Sequence, residues 1–550
     1  MRKIFFLCIG LIVTYTAFSQ NKDALFKTDQ IQRPKLVVGI VIDQMRWDYL
    51  YRYYDLYQPD GGFKRLLKEG YSCENTFIPY TPTVTACGHA SIYTGSVPAI
   101  DGITGNEWWD YKFSELLYCT EDDNINTIGS NTDAGKMSPH NLLVTTIGDE
   151  LRLATNFHTK VIGIALKDRA AILPAGHSAN AAYWCDEKTG TWITSSYYMK
   201  ELPSWVKELN AKKLVDGYFA LDWNTLYPIS RYTQSAPDEE PYEYRPFGAD
   251  QKGFPYKLSQ FAGKNYGLLP VTPYGNTFTL EMAKAAIQGE KLGLDSGTDM
   301  LAISLSTPDY IGHTFGPNSV EQEDDFLRLD IDLGNFFNYL DSQLGKGQYL
   351  VFLTADHGVA HVPLFLKEHK IPAGNLDDKN IVVALNNLLK DRFKVDKLVI
   401  GIFGFQVYLD RNAIIAAHLD KGQVYDDVID YLQQQPGVSR AIPLNRLNDV
   451  TLNSTMKNML TNGYYLSRSG DIQIIQEPQW IEGFDSGGTT HGVWNPYDSH
   501  IPLLWYGWRI SPGKTNQKVY MTDIAPTIAT LLHIQMPSGS IGNVIEEICK

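Results

Sequence analysis

The chain is poor in cysteine, lacks internal repeats and low-complexity tracts, and beyond its first residues has no apolar run long enough to cross a bilayer. Its 6 cysteines in 550 residues are widely spaced, which excludes a disulfide-built scaffold and matches no zinc-finger pattern. Any transition metal must therefore be taken by histidines and carboxylates. Basic residues are also in deficit: 48 Lys and Arg face 62 Asp and Glu, for a net charge of −14. That balance argues against nucleic-acid binding and leaves room for a local basic pocket that takes an anion. Hydrophobic residues at 44% and charged residues at 20% are those of an ordinary globular protein. Length alone favours two to four domains, a weak guide for α/β enzymes, which run long as one domain with insertions.

The N-terminus reads Met1-Arg2-Lys3, then an apolar run over 4–13, then Ala17-Phe18-Ser19-Gln20. This order of positive, apolar and small residues predicts a cleaved secretory signal over residues 1–19 and an exported mature protein, periplasmic or secreted, with no membrane span. Cys73, Cys87, Cys119, Cys185 and Cys549 remain after cleavage. Their odd number leaves at least one thiol without an intrachain partner.

Apolar, β-branched runs recur at 36–43, 160–166, 299–305, 349–355 and 501–507. Continuous apolar runs of this length are buried strands, and helical patterns at 276–291, 320–342 and 522–534 lie between or beyond them. The alternation predicts an α/β fold, a doubly wound, mostly parallel sheet flanked by helices, over residues 35–550. Two stretches break the rhythm. Residues 186–275 are rich in Tyr, Trp and Pro, and 364–480 carry their own helices (379–393, 422–433) and a strand-like run at 398–409. Both read as insertions that cap the sheet, and the aromatic residues of the first are candidates to shape a leaving-group pocket.

The chemistry-bearing residues cluster at predicted strand ends. Asp43 closes the first strand, Asp309 and His313 follow the third in STPDYIGHTFG, and Asp356-His357-Gly358 follow the fourth. His491 lies in GTTHG, just before the last strand, and is preferred as a ligand over His500. An Asp and a His four apart share one face of a helical turn and can reach one ion. Strand carboxyl ends converge on one crevice in an open α/β sheet, and six N/O ligands suffice for two zinc ions with open positions. A threonine-rich loop, PYTPTVTACGHASIYTG at 79–95, leads into a predicted helix whose positive end favours an alkoxide and a bound phosphate. Thr83 and Thr85 compete for the nucleophile's role, and either needs a metal to hold its alkoxide near neutral pH.

Taken together, VVGIVIDQMRWDYL, PTVTACGHASIYTGSVP, GITGN, LKDRAAILPAGHSANAAYW, STPDYIGHTFGP, TADHG and THGVWNPYDSHIPLLWYG span residues 37–507. In content, order and spacing they resemble the alkaline phosphatase superfamily, in particular the secreted bacterial phosphate-irrepressible enzymes with a threonine nucleophile. The resemblance implies Thr85, the second threonine of P-T-x-T, as nucleophile and metal-bound oxygen, and Asn106 as a ligand of a phosphoryl oxygen. Lys167 and Arg169 match the pair that marks the phosphate monoesterase branch, since two cations favour the extra charge of a monoester. It further implies one zinc on Asp309, His313 and His491, another on Asp43, Asp356 and His357, and no magnesium. The expected substrates are small phosphate monoesters, hydrolysed through a phosphothreonine. Cys87 is followed by Gly88-His89-Ala90-Ser91, so the C-x-P-x-R motif of the sulfatase branch is absent. The rival readings are a nucleotide phosphodiesterase on the same fold and a non-catalytic zinc-stabilised binding protein.

Overall fold

The computed structural model describes residues 32–483 and 487–550; the export signal expected over 1–19 lies outside them. At its centre is strand β1 (Leu36–Ile42), whose seven residues are all buried. A strand covered on both faces tolerates no polar alternation, which is why LVVGIVI is apolar throughout. After β2 (Tyr71–Phe77) and helix α1 (Thr85–Thr94) come β3 (Val161–Ala165), α2 (Asp168–Ala175), β4 (Ala181–Asp186) and β5 (Thr191–Ser195). The chain continues through β6 (Asp299–Leu305), α3 (Thr307–Phe315), α4 (Val320–Leu344) and β7 (Tyr349–Thr354), and reaches β8 (Leu503–Gly507) and β9 (Gly513–Tyr520) near its end.

Five of these strands, in the order β7-β1-β6-β3-β4, pair in parallel. Leu36 faces both Tyr349 and Asp299, and Val41 faces both Thr354 and Ser304. β7, β1 and β6 therefore finish level, and the residues just past their carboxyl ends meet. The parallel centre is as expected of a mostly parallel sheet, and the margins supply the antiparallel strands. β8 runs antiparallel to β7, β2 antiparallel to β8, and β5 antiparallel to β4. α2 packs on β3 and β4, and α1 packs on α2.

The 364–480 stretch forms a separate four-stranded antiparallel sheet, with helices Asp378–Phe393 and Lys421–Leu432 and its own apolar core around Leu385, Val407, Val428 and Ile474. The run at 398–409 is a hairpin of Val399–Phe403 and Gln406–Leu409, turned at Gly404 and Phe405, which both have positive φ. The 186–275 stretch instead buries Trp192, Trp223 and Tyr256 in the main core. All five described cysteines are free.

Asp101 is fully buried, with Oδ1 accepting the Ile103 N–H and Oδ2 without a partner. Burial pushes its carboxyl up to about 7. A carboxyl raised on folding takes up a proton between the ordinary carboxylate range and that value, so stability is gained as pH falls through about 7. Asp101→Asn keeps the acceptor and removes the buried charge. Its melting temperature should exceed that of the parent at pH 9, with the difference shrinking toward about pH 4; equal melting curves at pH 9 would exclude this account.

Candidate active site

The threonine loop enters α1 through Val84, in extended conformation, so Thr85 is the first helical residue. All ten residues of α1 are buried, and Asn106 Oδ1 accepts the Ala86 N–H at 3.0 Å. One orphan donor of the helix start is thereby satisfied, and the Asn106 amide is fixed beside Thr85. Thr83 lies differently: its hydroxyl donates to the Val493 carbonyl at 2.9 Å, and its own carbonyl accepts from His491. Of the two candidates, only Thr83 has its hydroxyl committed to the backbone.

Beside this helix start the strand ends bring the acidic and imidazole residues together. His357 Nε2 lies 3.5 Å from Asp43 Oδ1 and 3.4 Å from Asp356 Oδ2. Asp309 Oδ1 lies 3.1 Å from His313 Nε2 and 3.6 Å from His491 Nε2. The His357 and His491 rings stack with centroids 3.5 Å apart, so the two sets are contiguous. Among the described residues, two groups are tight enough to hold an ion: Asp43, Asp356 and His357, and Asp309, His357 and His491. His357 thus stands in both, while His313 borders the second through Asp309. His500 is elsewhere, stacked between Trp47 and Phe77 with Nε2 on the Glu74 carbonyl.

The residues present fit a metal pair. Each histidine engages a backbone carbonyl through Nδ1: His313 on Thr489, His357 on Gly358, His491 on Thr83, all at 2.8–3.0 Å. A carbonyl can only accept, so Nδ1 carries the proton and Nε2 is left as the ligating atom. Asp43 Oδ1, Asp356 Oδ2 and His357 Nε2 are buried with no hydrogen-bond partner, an arrangement that polar atoms avoid unless another group completes it. Burial first, then the neighbouring imidazoles, hold His491 well below the ordinary histidine range, and burial also lowers His357. Neutral imidazole is the ligating form. The donors are all nitrogen and oxygen, with no thiolate, as in catalytic zinc sites.

Lys167 occupies the ground between the sets, its ammonium 2.6 Å from Asp43 and 2.5 Å from Asp309. Burial opposes its charge, but Asp309 and Asp43 hold it protonated. Burial, with Asp309 and Asp356 near, raises Asp43 well above the usual carboxylate range. Against the same burial, His313 and Lys167 hold Asp309 well below it. Arg169 donates to the Tyr118 hydroxyl at 2.9 Å, which in turn donates to Asp168, and its Nε has no partner.

Two residues that the sequence did not single out hold this arrangement. Gln44 donates from its backbone N–H to Asp356 Oδ1 at 3.1 Å and from Nε2 to Asp309 Oδ1 at 2.6 Å, joining one carboxylate of each set. It does so at φ 66°, a left-handed conformation costly for glutamine. Its amide also explains Gly312, where a Cβ would come within 1.8 Å of Gln44 Oε1. His89, fully buried on α1, lies 2.9 Å from the Thr85 carbonyl, 2.8 Å from Ser304 Oγ and 3.4 Å from Asp356. Helix α1 is thereby tied to the carboxylates. Gln44→Gly relaxes the backbone and deletes only the side-chain bond. It should fold normally yet hold a bound metal about 10–100-fold less tightly in chelator competition; metal retention equal to the parent's would deny Gln44 a positioning role.

Residues 37–498 match the family model of the type I phosphodiesterases / nucleotide pyrophosphatases. Alkaline phosphatase PhoV of Synechococcus elongatus is 54% identical over 100% of both chains. A protein of Myroides odoratus named as a calcium-transporting ATPase is 50% identical over 95% of this chain and 96% of its own. The crystal structure of wild-type alkaline phosphatase PafA superposes with a TM-score of 0.92 at 48% identity, covering 94% of this chain and 99% of that one.

Proposed function

Because this chain belongs to the type I phosphodiesterase / nucleotide pyrophosphatase family, we propose that it hydrolyses phosphate monoesters to an alcohol and inorganic phosphate, through a phosphothreonine on Thr85. The observation that carries this reading is the convergence of Asp43, Asp309, Asp356, His313, His357 and His491 beside the start of α1, with Asp43 Oδ1, Asp356 Oδ2 and His357 Nε2 buried and without a hydrogen-bond partner. The relatives named alkaline phosphatase support it at 54% and 48% identity. Two zinc ions held on Asp43, Asp356 and His357 and on Asp309, His313 and His491 would supply the charge that acidifies the Thr85 hydroxyl and neutralises the leaving oxygen.

Thr85 Oγ attacks phosphorus while the bond to the leaving alkoxide breaks on the opposite side; the threonine proton passes to solvent, and the alkoxide takes a proton from water to leave as the alcohol. The N-terminal end of α1 stabilises charge at both threonine and phosphate. Asn106, its oxygen committed to Ala86, presents its NH₂ to a non-bridging oxygen. Arg169, positioned by Tyr118, and Lys167 face the remaining charge, where preorganised donors contribute most. Water then attacks the phosphothreonine, restores the Thr85 hydroxyl and releases phosphate.

The ATPase name of one relative implies phosphoryl chemistry too, but among the described residues no helix is long and apolar enough to cross a membrane. The Met1–Gln20 pattern supports export of the mature enzyme. The test is p-nitrophenyl phosphate hydrolysis by protein stripped with a chelator and then given zinc, magnesium or calcium alone. Activity should vanish on stripping and return with zinc. Undiminished activity after complete stripping would refute the metal-dependent mechanism.

A further inference from the structure

A cavity of about 480 Å³ opens beside Thr85. His313, His491 and Asn106 line it, and so do Glu107, Asp378 and Glu482. None of its described lining residues is a lysine or arginine. Phe403, on the hairpin of the 364–480 segment, adds an aromatic face. The 186–275 stretch, whose aromatic residues were candidates to shape a leaving-group pocket, contributes none of its described lining residues.

The three carboxylates come from separate elements: Glu107 from the strand Glu107–Asp110, Asp378 from the start of helix Asp378–Phe393, and Glu482 from the strand Trp480–Glu482. They crowd one another. Burial and the charges of Asp378 and Glu107 push Glu482 up to about 8. Lys379 bears on Asp378 but does not line the cavity. A substrate phosphate seated at Thr85 can place its leaving group in this space, because Val84, Asn106, His313 and His491 border it. An anionic leaving group would meet three carboxylates, and a neutral one would gain nothing from their charge. An ammonium would pair with them and lie against Phe403.

Resting on the phosphatase reading above, we infer that this cavity selects phosphate monoesters whose leaving alcohol carries a primary or quaternary ammonium, with Glu482, Asp378 and Phe403 as specificity-determining residues. The phosphoryl end is held by the positive groups, and the cationic end by the carboxylates across the cavity.

Choline phosphate and its uncharged carbon isostere, 3,3-dimethylbutyl phosphate, separate charge from shape. The readout is the ratio of their kcat/KM values on one preparation, a quantity independent of the fraction of protein folded. Intrinsic reactivity differs between the two esters but cancels when parent and variant are compared. In Glu482→Gln/Asp378→Asn the ratio should fall about tenfold from that of the parent. A ratio that moves by less than about twofold would overturn the inference while leaving phosphatase activity in place. No hydrolysis of either ester or of p-nitrophenyl phosphate by the parent would overturn the phosphatase reading itself, and this inference with it.

Discussion

Replacing Thr85 by alanine is expected to lower kcat for p-nitrophenyl phosphate by about four orders of magnitude or more, with zinc content unchanged. The size follows from its position. Thr85 is the first residue of a wholly buried helix, next to the converging carboxylates and imidazoles, and a nucleophile's hydroxyl has no substitute in alanine. Thr83 cannot easily take over, because its hydroxyl donates to the Val493 carbonyl from a fully buried position. Thr85→Ser keeps an oxygen at the helix start and should retain most of the activity. Acid-quenched parent should show one phosphoryl group on the intact protein, and Thr85→Ala none. Near-normal turnover by Thr85→Ala would show direct attack by water or by another residue.

The second large effect concerns charge. Arg169→Ala and Lys167→Ala should each lower kcat/KM for a monoester by about 10²–10³, and lower that for the diester bis-p-nitrophenyl phosphate much less. A monoester carries one more ionised oxygen than a diester, so cations around the phosphoryl group favour it selectively. The two variants should differ in stability. Arg169 donates to Tyr118, and its loss leaves the half-buried Asp168 carboxylate still holding the hydroxyl donors Tyr118 and Thr120. Lys167 lies between Asp43 and Asp309, so its removal leaves two buried carboxylates without their cation, a strongly destabilising change. In chelator-stripped protein Lys167→Ala should therefore melt well below Arg169→Ala. Equal losses on both ester types would mean that the pair does not read the substrate's charge.

How much of this was legible in the sequence depended on the kind of interaction. The central strands could be read because full burial leaves an unbroken apolar run, as in β1, β6 and β7. β2 could not: YSCENTF is half polar, and it takes its place from pairing with β8 and β9. The hairpin over Val399–Leu409 read as a single run because its turn carries only one glycine, with Phe405 adopting the second positive φ. Among the site residues, Asp43, Asp309 and Asp356 announce themselves by position at strand ends. Gln44 looks like an ordinary turn residue, because its partners lie 312 and 265 positions away. The three histidines of the site were visible as residue types, but that His357 stands in both groups, its ring stacked on His491, shows only in the fold. The aromatic stretch at 186–275 suggested a pocket wall; its large side chains fill the main core instead.

The most direct test of the central claim is steady-state hydrolysis of p-nitrophenyl phosphate against bis-p-nitrophenyl phosphate by zinc-reconstituted protein. A preference of several orders of magnitude for the monoester, abolished by chelation, is the predicted result. Preference for the diester would contradict it, and would make the chain a phosphodiesterase of the same family.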